Sequence, residues 1–226
     1  LKKYYGISYQ DGVASLILAK TINVLALILF LTVGFWFVVN SPDLPPSYKS
    51  IAGTGLGALI FGVVIFFLIQ RTKVTSVIGE FLSHRKFFSW LTKSLKHVEA
   101  VEQRLVVFYT VLRGRFFFAF ICASLNWVLG ALEVYYTMRL IGHPISFFDA
   151  WIIESVAQLV KAGSFFIPAS IGLQEGAFLA IGGAITGSPA AGFTSAIVRR
   201  FREVVWILWG LIVFYVIKPD INEHAQ

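Results

Sequence analysis

The chain has 226 residues, a formal net charge of +7 and a pI near 9.6; 57% of it is hydrophobic and only 14% charged, with a mean hydropathy of +0.77. Soluble domains hold about 25% charged residues, so this composition excludes an ordinary water-soluble domain and points to an integral membrane protein. The basic excess gathers in one stretch, where positive-inside orientation and contact with anionic lipid account for it, and no nucleic-acid partner is expected.

Cys122 is the only cysteine. It lies in an apolar run, so no intramolecular disulfide, metal site or cofactor is expected from it. Leu1 opens no secretory leader. The chain therefore reads as a piece of a longer protein or a processed product, and residues 1–226 as a single transmembrane domain.

The first apolar run, residues 13–39, is long enough to cross a hydrocarbon core of about 30 Å. Its polar exceptions are Lys20, Thr21 and Asn23. Lys20 reads as snorkelling to the near interface, with a cavity-facing placement as the alternative. Pro42, Pro45 and Pro46 make residues 40–50 a loop. A second span covers 51–69, where Gly53, Gly55, Gly57 and Gly62 allow a neighbouring helix to approach closely.

Residues 71–115 differ in composition. Arg71, Lys73, Arg85, Lys86, Lys93, Lys96, Arg104, Arg113 and Arg115 outnumber Glu80, Glu99 and Glu102. Apolar positions such as Val77, Phe81, Phe88, Leu91, Leu95 and Val98 recur at helical spacing. This stretch is expected to form amphipathic helix on the cytoplasmic surface. A coiled coil or a docking site for soluble partners is the competing reading.

A third span, 116–138, carries Asn126 and Glu133 seven residues apart on one face. Asn126 is expected to bond a neighbouring helix. Glu133 either reaches water or packs. The loop 139–148 is poor in basic residues. It and the first loop therefore belong outside, with the N-terminus and 71–115 cytoplasmic.

Residues 154–176 hold the candidate site. Asp149 suits a helix N-cap, and the helix 149–162 that it opens is only about 21 Å long, too short to span. Glu154, Gln158 and Lys161 share one face of it. Gly163 and Pro168 then break the chain, and a second helical piece runs from around 169–172 to about 186. A broken helix of this kind places polar backbone inside the membrane and is tolerated only within protein or beside a cavity.

The free N–H groups near Gly172 would suit a phosphate. Gly172 and Gly176 also form a small-residue face for close packing. A further helix starts at Ser188 and Pro189 and contains Arg199, Arg200, Arg202 and Glu203. Arg199 and Glu203 have the spacing of an ion pair, and Ser195, Arg199 and Arg202 share a face.

The run Pro168-Ala169-Ser170-Ile171-Gly172-Leu173-Gln174-Glu175 resembles the Pro-Gly-Gly-x-Gly-x-x-Glu segment of the lysylphosphatidylglycerol synthase transmembrane-region, or flippase-like, family. Arg199-Arg200-x-Arg202-Glu203 is similar to that family's later arginine-rich helix, and its combination with Gln-Glu-Gly looks most like the hopanoid-biosynthesis-associated branch. Pro168, Gly172 and Glu175 match the family pattern, as do Arg199 and Arg202. Ala169 and Ser170 stand where the pattern has two glycines. The resemblance implies a bacterial inner-membrane, multi-pass protein of a family some of whose members move aminoacylated phospholipids between leaflets. It also makes residues 1–226 the later part of a longer domain, completed by a missing N-terminal half or by a second copy of the chain.

The fold expected is all-α, a polytopic integral membrane protein with a broken or re-entrant helix pair and a cytoplasmic amphipathic segment. The function expected is lipid binding and translocation of a phospholipid or hopanoid-type lipid, with anionic or phosphate-bearing membrane lipids as partners. Arg199, Arg202 and the backbone near Gly172 would hold an anion. Glu154 and Glu175 would hold cationic or hydroxyl groups, with Gln158, Pro168 and Glu203 completing the site. The alternative is a membrane-embedded enzyme, or enzyme subunit, of lipid or hopanoid biosynthesis, with paired carboxylates as acid and base; no catalytic or metal-ligating set is apparent.

Overall fold

The structure, a computed structural model, describes residues 9–71, 113–164 and 166–216. All the regular structure among them is helical: α1 (Tyr9–Asn40), α2 (Pro46–Arg71), α3 (Arg113–Leu140), α4 (Phe147–Gly163), a single 3-10 turn (Pro168–Ser170), α5 (Leu173–Thr186) and α6 (Pro189–Val216). Among the described residues three stretches are long and apolar enough to cross a membrane: Ser15–Asn40, Pro46–Ile65 and Arg113–Leu140. The protein is an all-helical, polytopic membrane protein. The basic amphipathic segment expected over 71–115 lies almost wholly outside the described residues.

The chain divides into two units, one of residues 1–40 and 46–130, the other of 41–45 and 131–226. In the first, α1 and α2 form an antiparallel hairpin. Its connection is shorter than the prolines imply. Pro46 opens α2 instead of prolonging the loop, because a proline at the first helical position forfeits only an N–H that would be unpaired anyway. Of the glycines expected to admit a neighbour, Gly53 does so most visibly: a Cβ there would meet the Phe35 ring at 3.1 Å. Phe30 stacks on Trp127 with ring centroids 6.1 Å apart. Asn126 departs from expectation. It is exposed and bonds no described residue through its side chain.

The second unit holds the broken helix. Ser146, not Asp149, caps α4. The Ser146 hydroxyl accepts from the Asp149 N–H at 3.1 Å, and the Asp149 carboxylate accepts from the Ser146 N–H at 3.1 Å. This reciprocal pair satisfies two donors where a lone Asp cap would satisfy one. Asp149 therefore sits inside the first turn, two residues beyond the helix start.

A cavity of about 350 Å³ is lined by Asp43, His143, Ser146 and Asp149, together with Ile185 and Thr186. The start of α4 and the end of α5 thus lie at one end of the unit. The chain enters along α4, turns through 164–172, and returns along α5 to where it began. With 17 and 14 residues, the arms are about 25 and 21 Å long, each short of the hydrocarbon thickness of about 30 Å. The pair is re-entrant in form, and α6 starts again from the same end.

Close packing fixes α6 on this hairpin. Gly172 and Gly176, expected to form the tight contact, have no described neighbour within 4 Å of an added Cβ. The contact forms ten and more residues further on. Gly182 and Gly192 face each other so closely that a Cβ on Gly192 would lie 2.2 Å from the Phe178 carbonyl oxygen. Around this crossing Phe178, Ile181, Ala191 and Ala196 are buried. Beyond the charged turn of α6, large apolar residues from Val204 to Val216 are exposed, as suits a surface in contact with lipid.

Candidate functional site

The start of α4 and the start of α6 share one end of the unit, which sets the depth of their charged residues. Glu154 lies seven residues into α4 and Arg199 ten into α6, about 11 and 15 Å along their axes. They meet there. Both terminal nitrogens of Arg199 donate to the Glu154 carboxylate, Nη2 to Oε1 at 2.8 Å, and Gln158 Nε2 donates to the same oxygen at 2.8 Å. Glu154 is fully buried and Arg199 nearly so. The guanidinium also lies 5.7 Å from the centroid of the buried Phe178 ring, a cation–π contact that a desolvated arginine favours. A bidentate fork with a third donor is the geometry that allows a charge pair to exist out of water.

The i,i+4 pairing of Arg199 with Glu203 does not form. Arg199 faces into the hairpin, whereas Glu203 is matched by Lys161 Nζ at 3.3 Å and by Arg200 Nη1 at 2.8 Å. Arg200 Nε also donates to Glu175. The Glu175 carboxylate in turn accepts from the Gly172 N–H at 2.7 Å. Thus the helix N-terminus proposed for a phosphate already holds an anion, one supplied by its own first turn. Gly172 caps α5 with φ +86°, a conformation that a side chain would strain. Arg202 pairs with Glu133 of α3, so of the two placements expected for Glu133 the packed one forms.

Four carboxylates, Glu133, Glu154, Glu175 and Glu203, are therefore matched by four cations, Lys161, Arg199, Arg200 and Arg202. The set is neutral. Its members differ in access: the side chain of Arg199 is 9% exposed, whereas those of Lys161 and Arg202 are 39% and 41% exposed. Pro168 contributes no side-chain bond. It opens the 3-10 turn that reverses the chain.

That turn explains a departure from the family pattern. Ser170 adopts φ +49°, a left-handed conformation that glycine takes without strain and other residues take at about 1–2 kcal/mol. The buried Ser164 hydroxyl donates to Ser170 Oγ at 2.8 Å, and Ser170 Oγ reaches the Lys161 carbonyl at 3.5 Å. These bonds offset the conformational cost. Ser170→Ala retains the strain and loses the bonds, and is expected to lower stability by about 1 kcal/mol. Ser170→Gly exchanges one loss for the other and should be close to neutral. Unfolding midpoints of the two variants in detergent would separate these outcomes.

The network assembles Glu154, Gln158, Glu175, Arg199, Arg202 and Glu203, as well as Gly172 through its N–H. It also uses Lys161, Arg200 and Glu133, which sequence reasoning noticed without selecting. Gln174 was missed altogether. It is 2% exposed, and both polar atoms of its amide have no partner among the described residues. Its neighbour in the Gln-Glu pair drew the attention, and one polar residue on an apolar helix face carries no further signal. No group of three or more His, Cys, Asp or Glu side chains able to hold a metal occurs among the described residues.

Comparison with curated proteins and with solved structures finds no match to this chain. The family described as the lysylphosphatidylglycerol synthase TM region matches residues 1–210, which takes in the first unit, most of the second and the entire charged network described above, and the chain belongs to that family.

Proposed function

We propose that the chain is a bacterial inner-membrane protein that binds a phospholipid or hopanoid-type lipid and passes it between leaflets. In this reading the N-terminal side and residues 71–115 face the cytoplasm. The observation that carries it is the neutral, multiply paired network inside a re-entrant hairpin. A lone charge in the membrane is costly by about 2.5–3.5 kcal/mol even on lenient scales. A network of alternating pairs can lend a cation to a lipid phosphate and re-form its own pair when the lipid leaves, without stranding either charge.

The half-exposed members suit this exchange. Lys161 and Arg200 pair with different oxygens of Glu203, so a phosphate that displaces the whole carboxylate gains two cations. Arg199, sealed against Glu154, holds the helices in place beneath them. Gln174 adds unused donor and acceptor capacity for a headgroup hydroxyl. Acid–base catalysis fits less well, since each carboxylate of the network already accepts from an arginine or a lysine.

Exchange of a fluorescent phospholipid between leaflets of protein-containing liposomes tests the proposal. Lys161→Gln and Arg202→Gln should slow the exchange severalfold with unfolding midpoints little changed, because both side chains are substantially exposed. Exchange at the wild-type rate in both variants would remove the network from the transport path. Equal exchange with and without protein would remove transport itself.

A further inference from the structure

Lys20 is the sixth residue of the span Ser15–Asn40, about 8 Å from its start. Its side chain is exposed and has no counter-ion among the described residues. It does not merely border lipid. A cavity of about 430 Å³ lies between α1 and α2, with Lys20 on its wall beside Leu16, Ile17, Val24 and Val63. The Thr21 hydroxyl also borders it but donates to the Ile17 carbonyl of its own helix at 2.9 Å. Among the described lining residues Lys20 is therefore the charged group of a mainly apolar groove, whose volume falls within the usual range for ligand sites, about 300–1,000 Å³.

The groove has a specific cause. Gly62 forms part of its α2 wall, and no described atom lies within 4 Å of a Cβ built there. The missing side chain leaves the space open. Lys20 and Gly62 occupy the same end of the hairpin, the end from which the chain continues into the lysine- and arginine-rich residues 72–112. Basic segments beside a span draw anionic lipid to that leaflet. An apolar slot with one cation that no described residue matches complements, at that level, a molecule with a long hydrocarbon chain and an anionic head.

We propose that the α1–α2 groove binds one anionic glycerophospholipid, with an acyl chain lying along Leu16, Ile17, Val24 and Val63 across Gly62 and the phosphate paired to Lys20 Nζ. This site is in the first unit and does not rest on transport by the charged network of the second.

Native mass spectrometry of the full chain, with phosphatidylglycerol or phosphatidylcholine titrated in detergent, tests it. The wild type should retain phosphatidylglycerol about fivefold more strongly, in line with one basic side chain facing an anionic lipid. Lys20→Gln should lose that preference and Lys20→Arg should keep it. Gly62→Leu, which narrows the groove, should lower retention of both lipids. The soluble headgroup glycerophosphoglycerol should fail to displace the lipid at matched concentration. An unchanged preference in Lys20→Gln would leave Lys20 as a snorkelling residue and overturn the proposal. So would undiminished retention in Gly62→Leu, or displacement by the soluble headgroup. Because Lys161→Gln leaves this groove intact, loss of lipid exchange in that variant with phosphatidylglycerol retention preserved separates the two sites.

Discussion

Glu154→Gln is expected to destabilise the second unit by about 3–5 kcal/mol, the cost of leaving one partner of a buried ion pair without the other. The magnitude follows from the position of Arg199. It is buried against Phe178 and Glu154, and its Nε already lacks a partner among the described residues. A neutral amide in place of Glu154 offers only a weaker acceptor to a full charge.

The informative comparison is a triple substitution, Glu154→Leu with Arg199→Met and Gln158→Leu. It removes both charges and the amide that donates to Glu154. Apolar replacement of a whole buried pair is often neutral or stabilising, so the unfolding midpoint in detergent should return to about the wild-type value. If lipid exchange stays intact in the triple variant, Arg199 and Glu154 serve architecture alone. If exchange is lost while stability is restored, the pair takes part in transport. Should Glu154→Gln unfold at the wild-type midpoint, the pair is not buried as described.

Gly192→Ala is the second large effect expected. A methyl group there would lie 2.2 Å from the Phe178 carbonyl oxygen and 3.0 Å from its carbon, so α5 and α6 must move apart by more than an ångström. Overpacking of this kind costs about 1–3 kcal/mol and sometimes more. The displacement also carries Arg199 and Arg200 away from Glu154 and Glu175, which are on the other arms of the crossing. Lipid exchange should therefore fall together with the unfolding midpoint. Gly176→Ala is the control. Its added Cβ meets no described atom within 4 Å, and exchanging glycine for alanine inside a helix is favourable by about 0.5–1 kcal/mol. The opposite order of effects would restore the Gly172–Gly176 face as the tight contact.

The spans and the break were legible because each depends on local chemistry. Long apolar runs define α1, α2 and α3, and Gly163 with Pro168 cannot continue a helix. Cap positions moved by a few residues because Ser146 and Asp149 satisfy two donors together. The pairing within the network was not legible. Local spacing favours Arg199 with Glu203, but the neighbour relation that prevails is set by how α6 crosses the hairpin. Arg199 turns inward to Glu154, and Arg200, one residue further round the helix, meets Glu175 and Glu203. The crossing itself depends on Gly182 and Gly192, ten residues apart on two different helices. Their neighbours Gly183, Ala190 and Ala191 form small-residue clusters on both helices, a signal that the more familiar Gly172–Gly176 spacing obscured.

The balance of four carboxylates and four cations among the described residues has a consequence for voltage. An electric field across the bilayer acts on net charge, at about 2.3 kcal/mol per elementary charge per 100 mV. A neutral cluster that shifts as a body is nearly blind to that field. On the transport reading, the unloaded site resets without electrical work, and the voltage sensitivity of the loaded step equals the charge of the cargo. Exchange rates measured under an imposed potassium diffusion potential would then read the valence of the headgroup being carried: an anionic lipid gives a polarity-dependent rate and a zwitterionic one gives none.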